Sequence, residues 1–250
     1  MFNLKLAAGL LFALACFQDP PKNPDLLLHL PFNDSKTDDI SGYGNHGKAV
    51  GKVEWGEGRL GGALQLDGAG GHVQLQNSET LDKVQTESYS IAAWFKPANV
   101  PPGTESENNA RYGIVVKEGW HTGLSYNSEK QFVMEHWLAP AAGGDEPVWA
   151  GAGTWEESCD AAKWYHVAGV VDRKAGATKL YLNGELKNSA DWEANKATRD
   201  YAKAPWRVGI ASPGAQKWSW PAKGLIDDVR IYKKALSEAE VTALYKEGVK

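Results

Sequence analysis

Residues 224–232 read GLIDDVRIY, and two adjacent carboxylates in an otherwise strand-like apolar run are the first candidates for chemistry in this chain. Alternation along a strand puts Leu225, Asp227, Val229 and Ile231 on one face and Ile226, Asp228, Arg230 and Tyr232 on the other. Asp228 can then pair with Arg230 on the outer face. Asp227 falls among core residues, where an ionised carboxylate is costly unless a cation or several donors meet it. Other pairings are poorer. Glu135 and His136 are neighbours, but strand neighbours point to opposite faces. Glu135 could face Glu118 or Asp145, yet no spacing selects that arrangement. HExxH, GxSxG and GxxxxGK[ST] are all absent, which removes the common zinc, serine and nucleotide chemistries. Cys159 lies in ESCD, where Glu157 and Asp160 disfavour a thiolate nucleophile. His29 and His166 sit in apolar strands and read as core residues.

Eleven tryptophans are the second chemical resource. Trp94 and Trp164 fall in apolar strands and are expected in the core. Trp120, Trp137, Trp149, Trp155, Trp218 and Trp220 lie at strand ends or in loops rich in Gly and Pro, notably KEGWHTG, EPVWAGAGTWEE and QKWSWPAKG. Exposed indole planes stack on the apolar C–H faces of sugar rings, while nearby Asn, Asp and Glu take hydroxyls. Trp218 and Trp220 share a face if KWSWP is extended. Loop tryptophans also fold back to cover a protein's own core, and an exposed cluster serves a protein partner equally well.

The elements that must position these residues are short strands. With 250 residues, 27 Gly, 12 Pro and 2 Met, the composition suits strands joined by turns more than a helical bundle. About ten apolar or alternating stretches recur, among them ALQLD, YSIAAWFKP, QFVMEHW and WYHVAGVVD. Asn183-Gly184 within TKLYLNGEL specifies a two-residue type I′ hairpin. One helix is specified, in LSEAEVTALYKEG. Ser237 and Glu240 form a capping box, Leu236 and Val241 a hydrophobic staple, and Gly248 a stop. The net charge of −4, with no basic stripe, argues against nucleic acid as a partner.

Residues 1–15, MFNLKLAAGLLFALA, read as a signal peptide, with Lys5 ahead of the apolar run and a small-x-small close. Export to an extracytoplasmic location follows: secreted, periplasmic or lipid-anchored. Cys16 stands where a bacterial lipoprotein carries its lipid, although Ala13 takes the place of the usual Leu; plain secretion is the alternative. Residues 16–25 form a Pro-rich linker, and 26–250 a single domain.

Six motifs in order, DISGYGNHG (39–47), GRLGGALQLDG (58–68), YSIAAWFKP (89–97), KWYHVAGVVD (163–172), LYLNGEL (180–186) and GLIDDVRIYKKALSEAEV (224–241), resemble the LamG-like jelly-roll domains of the concanavalin A-like lectin and glucanase superfamily. The resemblance implies an all-β fold, a two-sheet antiparallel jelly-roll β-sandwich carrying the short C-terminal helix. It also implies recognition of glycan or extracellular protein. It supplies a partner for Asp227 as well: a structural Ca²⁺ between the DISGYGNHG loop and the last strand, held by Asp39, Asn45 and Asp227, with Asn33 adding an oxygen. The alternative is that Asp39 and Asn45 are turn residues and that Asp227 accepts main-chain N–H bonds at a bulge. LDGAGGHV has Gly70 and Gly71 where relatives carry acids, which removes ligands for a second ion. The ExDxxE strand of the jelly-roll glucanases is absent, so the expectation is a non-catalytic binding module.

Overall fold

The computed structural model describes residues 23–103, 110–117, 122–140, 144–200, 203–214 and 219–249. Residues 1–15, read above as a signal peptide, and Cys16, Trp120 and Trp218 lie outside them. Two antiparallel sheets face each other. One contains β1 (Leu26–Leu30), β3 (Glu54–Glu57), β4 (Gly62–Asp67), β6 (Tyr89–Pro97), β12 (Tyr165–Asp172), β13 (Ala177–Leu182), β14 (Glu185–Asp191) and β16 (Lys223–Tyr232), in the order β14-β13-β12-β6-β16-β4-β3, with β1 also pairing β16. The other contains β2 (Gly47–Val50), β5 (His72–Leu75), β7 (Arg111–Lys117), β8 (Thr122–Asn127), β9 (Phe132–Leu138), β10 (Val148–Trp149), β11 (Ala152–Gly153) and β15 (Trp206–Val208), in the order β10-β9-β8-β7-β15-β5-β2, with β11 returning onto β9. The sheets bury a shared core that includes Leu28, Leu64, Val73, Ile91, Phe95, Ile114, Leu124, Tyr126, Phe132, Val167 and Ile231.

Both faces are covered at the centre of the first sheet, which is why β6, β12 and β16 read as nearly continuous buried runs, while the edge strand β14 is largely exposed. Its outer face carries α1 (Glu238–Glu247), whose Val241 and Leu244 pack with Leu236 on Ala92, Val170, Tyr181 and Tyr232. The capping box forms as expected: Glu240 N donates to Ser237 Oγ at 3.3 Å and Ser237 N to Glu240 Oε2 at 2.9 Å. A Cβ at Gly248 would run into the Trp94 ring, so glycine there serves close packing as well as termination. The expected hairpin also forms, with Asn183 and Gly184 both at positive φ and Leu182 opposite Glu185.

The last strand departs from simple alternation. β16 pairs β4 through Lys223–Ile226 and β1 through Val229–Tyr232, and a bulge separates the two halves. Asp228 sits in the bulge at φ 51°. The extra backbone shifts the side-chain phase, so Ile226, rather than Leu225, joins Val229 and Ile231 in the core. Asp227 is fully buried, but beneath the turn linking β3 to β4. Trp164, expected in the core, is half-buried just before β12.

Candidate functional site

The segment Trp149-Ala150-Gly151-Ala152-Gly153-Thr154-Trp155 runs along the free edge of β9 in the second sheet. Its backbone is tied down: Ala150 N donates to His136 O at 2.8 Å, Thr154 N to Phe132 O at 3.0 Å, and Phe132 N to Thr154 Oγ1 at 3.0 Å. The two glycines stand two residues apart, and each lies under an indole. A Cβ on Gly151 would enter the Trp149 ring, and one on Gly153 would enter the Trp155 ring. The rings therefore fold inward from both ends of the segment and rest on bare backbone. Their centroids are 6.2 Å apart at 53°, and the residues remain 43% and 42% exposed. Two half-exposed indoles on a pinned backbone form a preformed apolar platform.

A polar floor adjoins it. Phe132 and Met134 point into the core, so Glu135 and Trp137 take the opposite face of β9. Trp149 pairs across strands with half-buried Trp137, and its Nε1 donates to Glu135 Oε2 at 2.9 Å. Glu135 is in turn ion-paired with Arg111 of β7, whose guanidinium carbon lies 5.3 Å over the Trp220 ring. Trp220 is buried against Val116 and Ala211. It does not present the surface expected of it; it backs Arg111 from below. Of the expected tryptophans, the structure brings together Trp137, Trp149 and Trp155, and separates Trp220 as a buried support. Gly151 and Gly153 escaped the sequence reading, although their spacing between two tryptophans was visible there.

The Laminin G 3 profile of the concanavalin A-like lectin/glucanases superfamily matches residues 67–242. The chain belongs to this family. Among curated proteins it is similar to the Adhesion G-protein coupled receptor V1 of Danio rerio, at 24% identity over 198 residues, which is 73% of this chain and 3% of the receptor. Among solved structures it is similar to domain 4 of a GH43 extracellular arabinanase from Geobacillus stearothermophilus, in complex with arabinotriose. That likeness has a TM-score of 0.58 at 23% identity and covers 88% of this chain and 98% of that domain. It is also similar to the binding domain of Botulinum neurotoxin DC in complex with rat synaptotagmin II, with a TM-score of 0.62 at 17% identity, covering 90% of this chain and 52% of that one. The chain thus spans about half of the neurotoxin domain and a small fraction of the receptor. At these identities the solved structures establish the fold alone.

In this laminin G-like fold, the residues expected to hold calcium fall into two hydrogen-bonded groups. Asp227 Oδ2 accepts main-chain N–H bonds from Arg59 at 2.7 Å and Leu60 at 2.8 Å, and Asn33 Oδ1 accepts one from Gly62 at 2.8 Å. Both side chains thereby clamp the turn between β3 and β4. Asp39 accepts four donors: His29 N and Ser41 N on Oδ1, and Ser41 Oγ and Asn45 N on Oδ2. Asn45 Oδ1 accepts from Ser78 Oγ and Thr80 Oγ1. As arranged, the Asp39 and Asn45 side-chain oxygens are already engaged, and the four side chains expected to share one ion serve two separate hydrogen-bonded groups. Among the described residues, no three His, Cys, Asp or Glu side chains cluster to hold a metal. Asp227 Oδ1 is buried without a partner, and burial pushes this carboxyl up to about 6.

The neighbouring carboxylate has a full complement. Asp228 Oδ1 meets His29 Nε2 at 2.6 Å and Arg230 Nη2 at 3.1 Å, and Arg230 reaches Glu247 of α1 at 2.6 Å. Burial works against the Asp228 charge, but His29 and Arg230 outweigh it and hold the group below its usual range. The adjacent acids thus tie β1, β16 and α1 to one another and to the β3–β4 turn. The remaining candidates are structural. His136 is held near 3 by burial between the sheets, 3.2 Å from the Tyr89 hydroxyl, on the opposite face from Glu135. His166 is lowered to about 4 by burial, against Trp94 and Tyr245. Cys159 is buried and pushed up to about 11, chiefly by that burial.

Proposed function

We propose that this chain is an exported, non-catalytic carbohydrate-binding domain whose contact surface is the Trp149–Trp155 platform. The observation that carries the reading is the pair of half-exposed indoles seated on Gly151 and Gly153. Each presents a flat apolar face for a sugar ring, and rings fixed in advance lose little freedom on binding. Glu135, buried beneath the Trp149 edge, fixes that ring by accepting the indole N–H and is itself held by Arg111. A buried carboxylate neutralised by arginine and engaged by an indole is suited to positioning the ring more than to protonating a leaving group. The solved relatives support the reading at the level of fold: one is in complex with arabinotriose, another is a neurotoxin binding domain in complex with SialylT. Export rests on the leader at 1–15 and fits the extracellular arabinanase; among the described residues no helix is long and apolar enough to cross a membrane.

A protein partner is the second reading, favoured by Val148, which adds 43% exposed aliphatic surface beside Trp149. Affinity electrophoresis through gels containing polysaccharides tests both. The wild type is retarded by at least one glycan, and Trp149→Ala and Trp155→Ala each abolish that retardation while keeping the wild-type melt. Retardation that survives both substitutions refutes the platform. No retardation by any polysaccharide removes the carbohydrate reading.

A further inference from the structure

We infer that the platform accepts uncharged or amine-bearing glycans and rejects acidic ones, an inference that rests on the carbohydrate-binding reading above. The segment carrying the two indoles is flanked by Asp145, Glu146 and Glu156, all exposed. Among the described residues no ion pair engages any of the three, and the lysines that reach this stretch are already occupied. Lys187 is taken by Glu157 at 2.7 Å and Glu185 at 3.1 Å; Lys130 and Lys163 are both taken by Asp160, at 3.2 and 3.1 Å. The one guanidinium beneath the platform, Arg111, is mostly buried and paired with Glu135. A ligand lying across the rings therefore meets three uncompensated carboxylates and no unengaged cation among these residues.

The consequence follows from Coulomb's law and screening. Three unit charges within about one low-salt screening length of a sugar carboxylate or sulfate disfavour it on the order of tenfold, and the effect fades as added salt shortens that length. A neutral sugar pays none of this, and an amine is attracted by the same field. Charge of this kind sets specificity more than affinity for the preferred ligand.

The test is affinity electrophoresis in low salt on arabinan, galactan, xyloglucan and chitosan, against polygalacturonate, hyaluronan and heparin. A carboxymethylated form of whichever neutral glycan is retained is added, because it differs from its parent only in charge. The wild type is expected to prefer the parent on the order of tenfold. The triple variant Asp145→Asn, Glu146→Gln, Glu156→Gln should keep its affinity for the parent and bring the carboxymethylated form to within about threefold of it. Retention by an acidic glycan that is lost in Trp149→Ala overturns the inference while leaving the binding reading intact. So does a triple variant with the wild-type preference. If no glycan of either set is retained, the binding reading itself falls, and this inference with it.

Discussion

Replacing Asp227 by Asn tests the account of the buried acid through the pH dependence of stability. An aspartate titrates near ~3.9 in an unfolded chain. In the folded protein the group is pushed up to about 6, first by burial and then by the charge of Asp228, against the opposing N–H donors of Leu60 and Arg59. Between those two values the native state binds a proton that the unfolded state lacks. Asp227 therefore favours folding increasingly as pH falls from 7 toward 4, and disfavours it above 6. About two pH units at roughly 1.4 kcal/mol each amount to ~3 kcal/mol across the interval. Asp228 and Glu240, both held below their usual range, act in the opposite direction, so the wild-type curve alone does not isolate the effect. The difference between variant and wild type does. In Asp227→Asn the amide oxygen still receives Arg59 N and Leu60 N, but the charge is gone. Urea unfolding from pH 4.5 to 8 should show the variant gaining on the wild type by ~2 kcal/mol as pH rises, since part of the interval lies below 4.5. An unchanging difference refutes the reasoning. A calcium ion on Asp227 would depress its pKa and reverse the sign, so repeating the series in EDTA and in millimolar Ca²⁺ decides between the two.

Gly153→Ala should leave the unfolding free energy within about 1 kcal/mol of wild type, because the atoms a Cβ would meet first belong to the exposed Trp155 ring. Glycan retention should nevertheless drop several-fold; full retention in gel electrophoresis would show that the seat under Trp155 has no role. Ser237→Ala removes the α1 cap and should cost about 1 kcal/mol in urea unfolding with an unchanged m-value. A change under 0.3 kcal/mol would mean that packing of Val241 and Leu244 alone fixes the helix.

Much of the fold was legible because its strands are buried on one or both faces and so leave apolar runs in the sequence. What escaped notice was polar or short. β8, TGLSYN, is buried throughout, yet four of its six residues are Thr, Gly, Ser and Asn. Its outward Ser125 meets Arg111 and Glu135 instead of aliphatic neighbours, and its composition gives no apolar period to detect. β10 and β11 are two residues each, below the length at which any period exists. The face assignment around Asp227 failed for a different reason. Period-two alternation assumes an unbroken ladder, and β16 changes partners at that point, from β4 to β1. The adjacent acids themselves mark the discontinuity: one accepts the N–H bonds of the turn beside the break, and the other occupies the bulge.

The same reasoning explains why the tryptophans were half legible. Residue type and loop context separated Trp149 and Trp155 from strand tryptophans such as Trp94, but could not separate them from Trp220. What distinguishes them is the residue beneath each ring. Trp149 and Trp155 lie on Gly151 and Gly153, so their outer faces stay open to solvent. Trp220 has Arg111 stacked over it and Val116 and Ala211 beside it, so neither of its faces is open. An indole two residues from a glycine on a pinned edge can lie flat and remain exposed. Trp220, at φ 46° and 3% exposed, is instead enclosed by its neighbours. A pattern of W-x-G-x-G-x-W along a sheet edge is therefore a more specific mark of an aromatic platform than tryptophan content, because it encodes both the rings and the space they rest in.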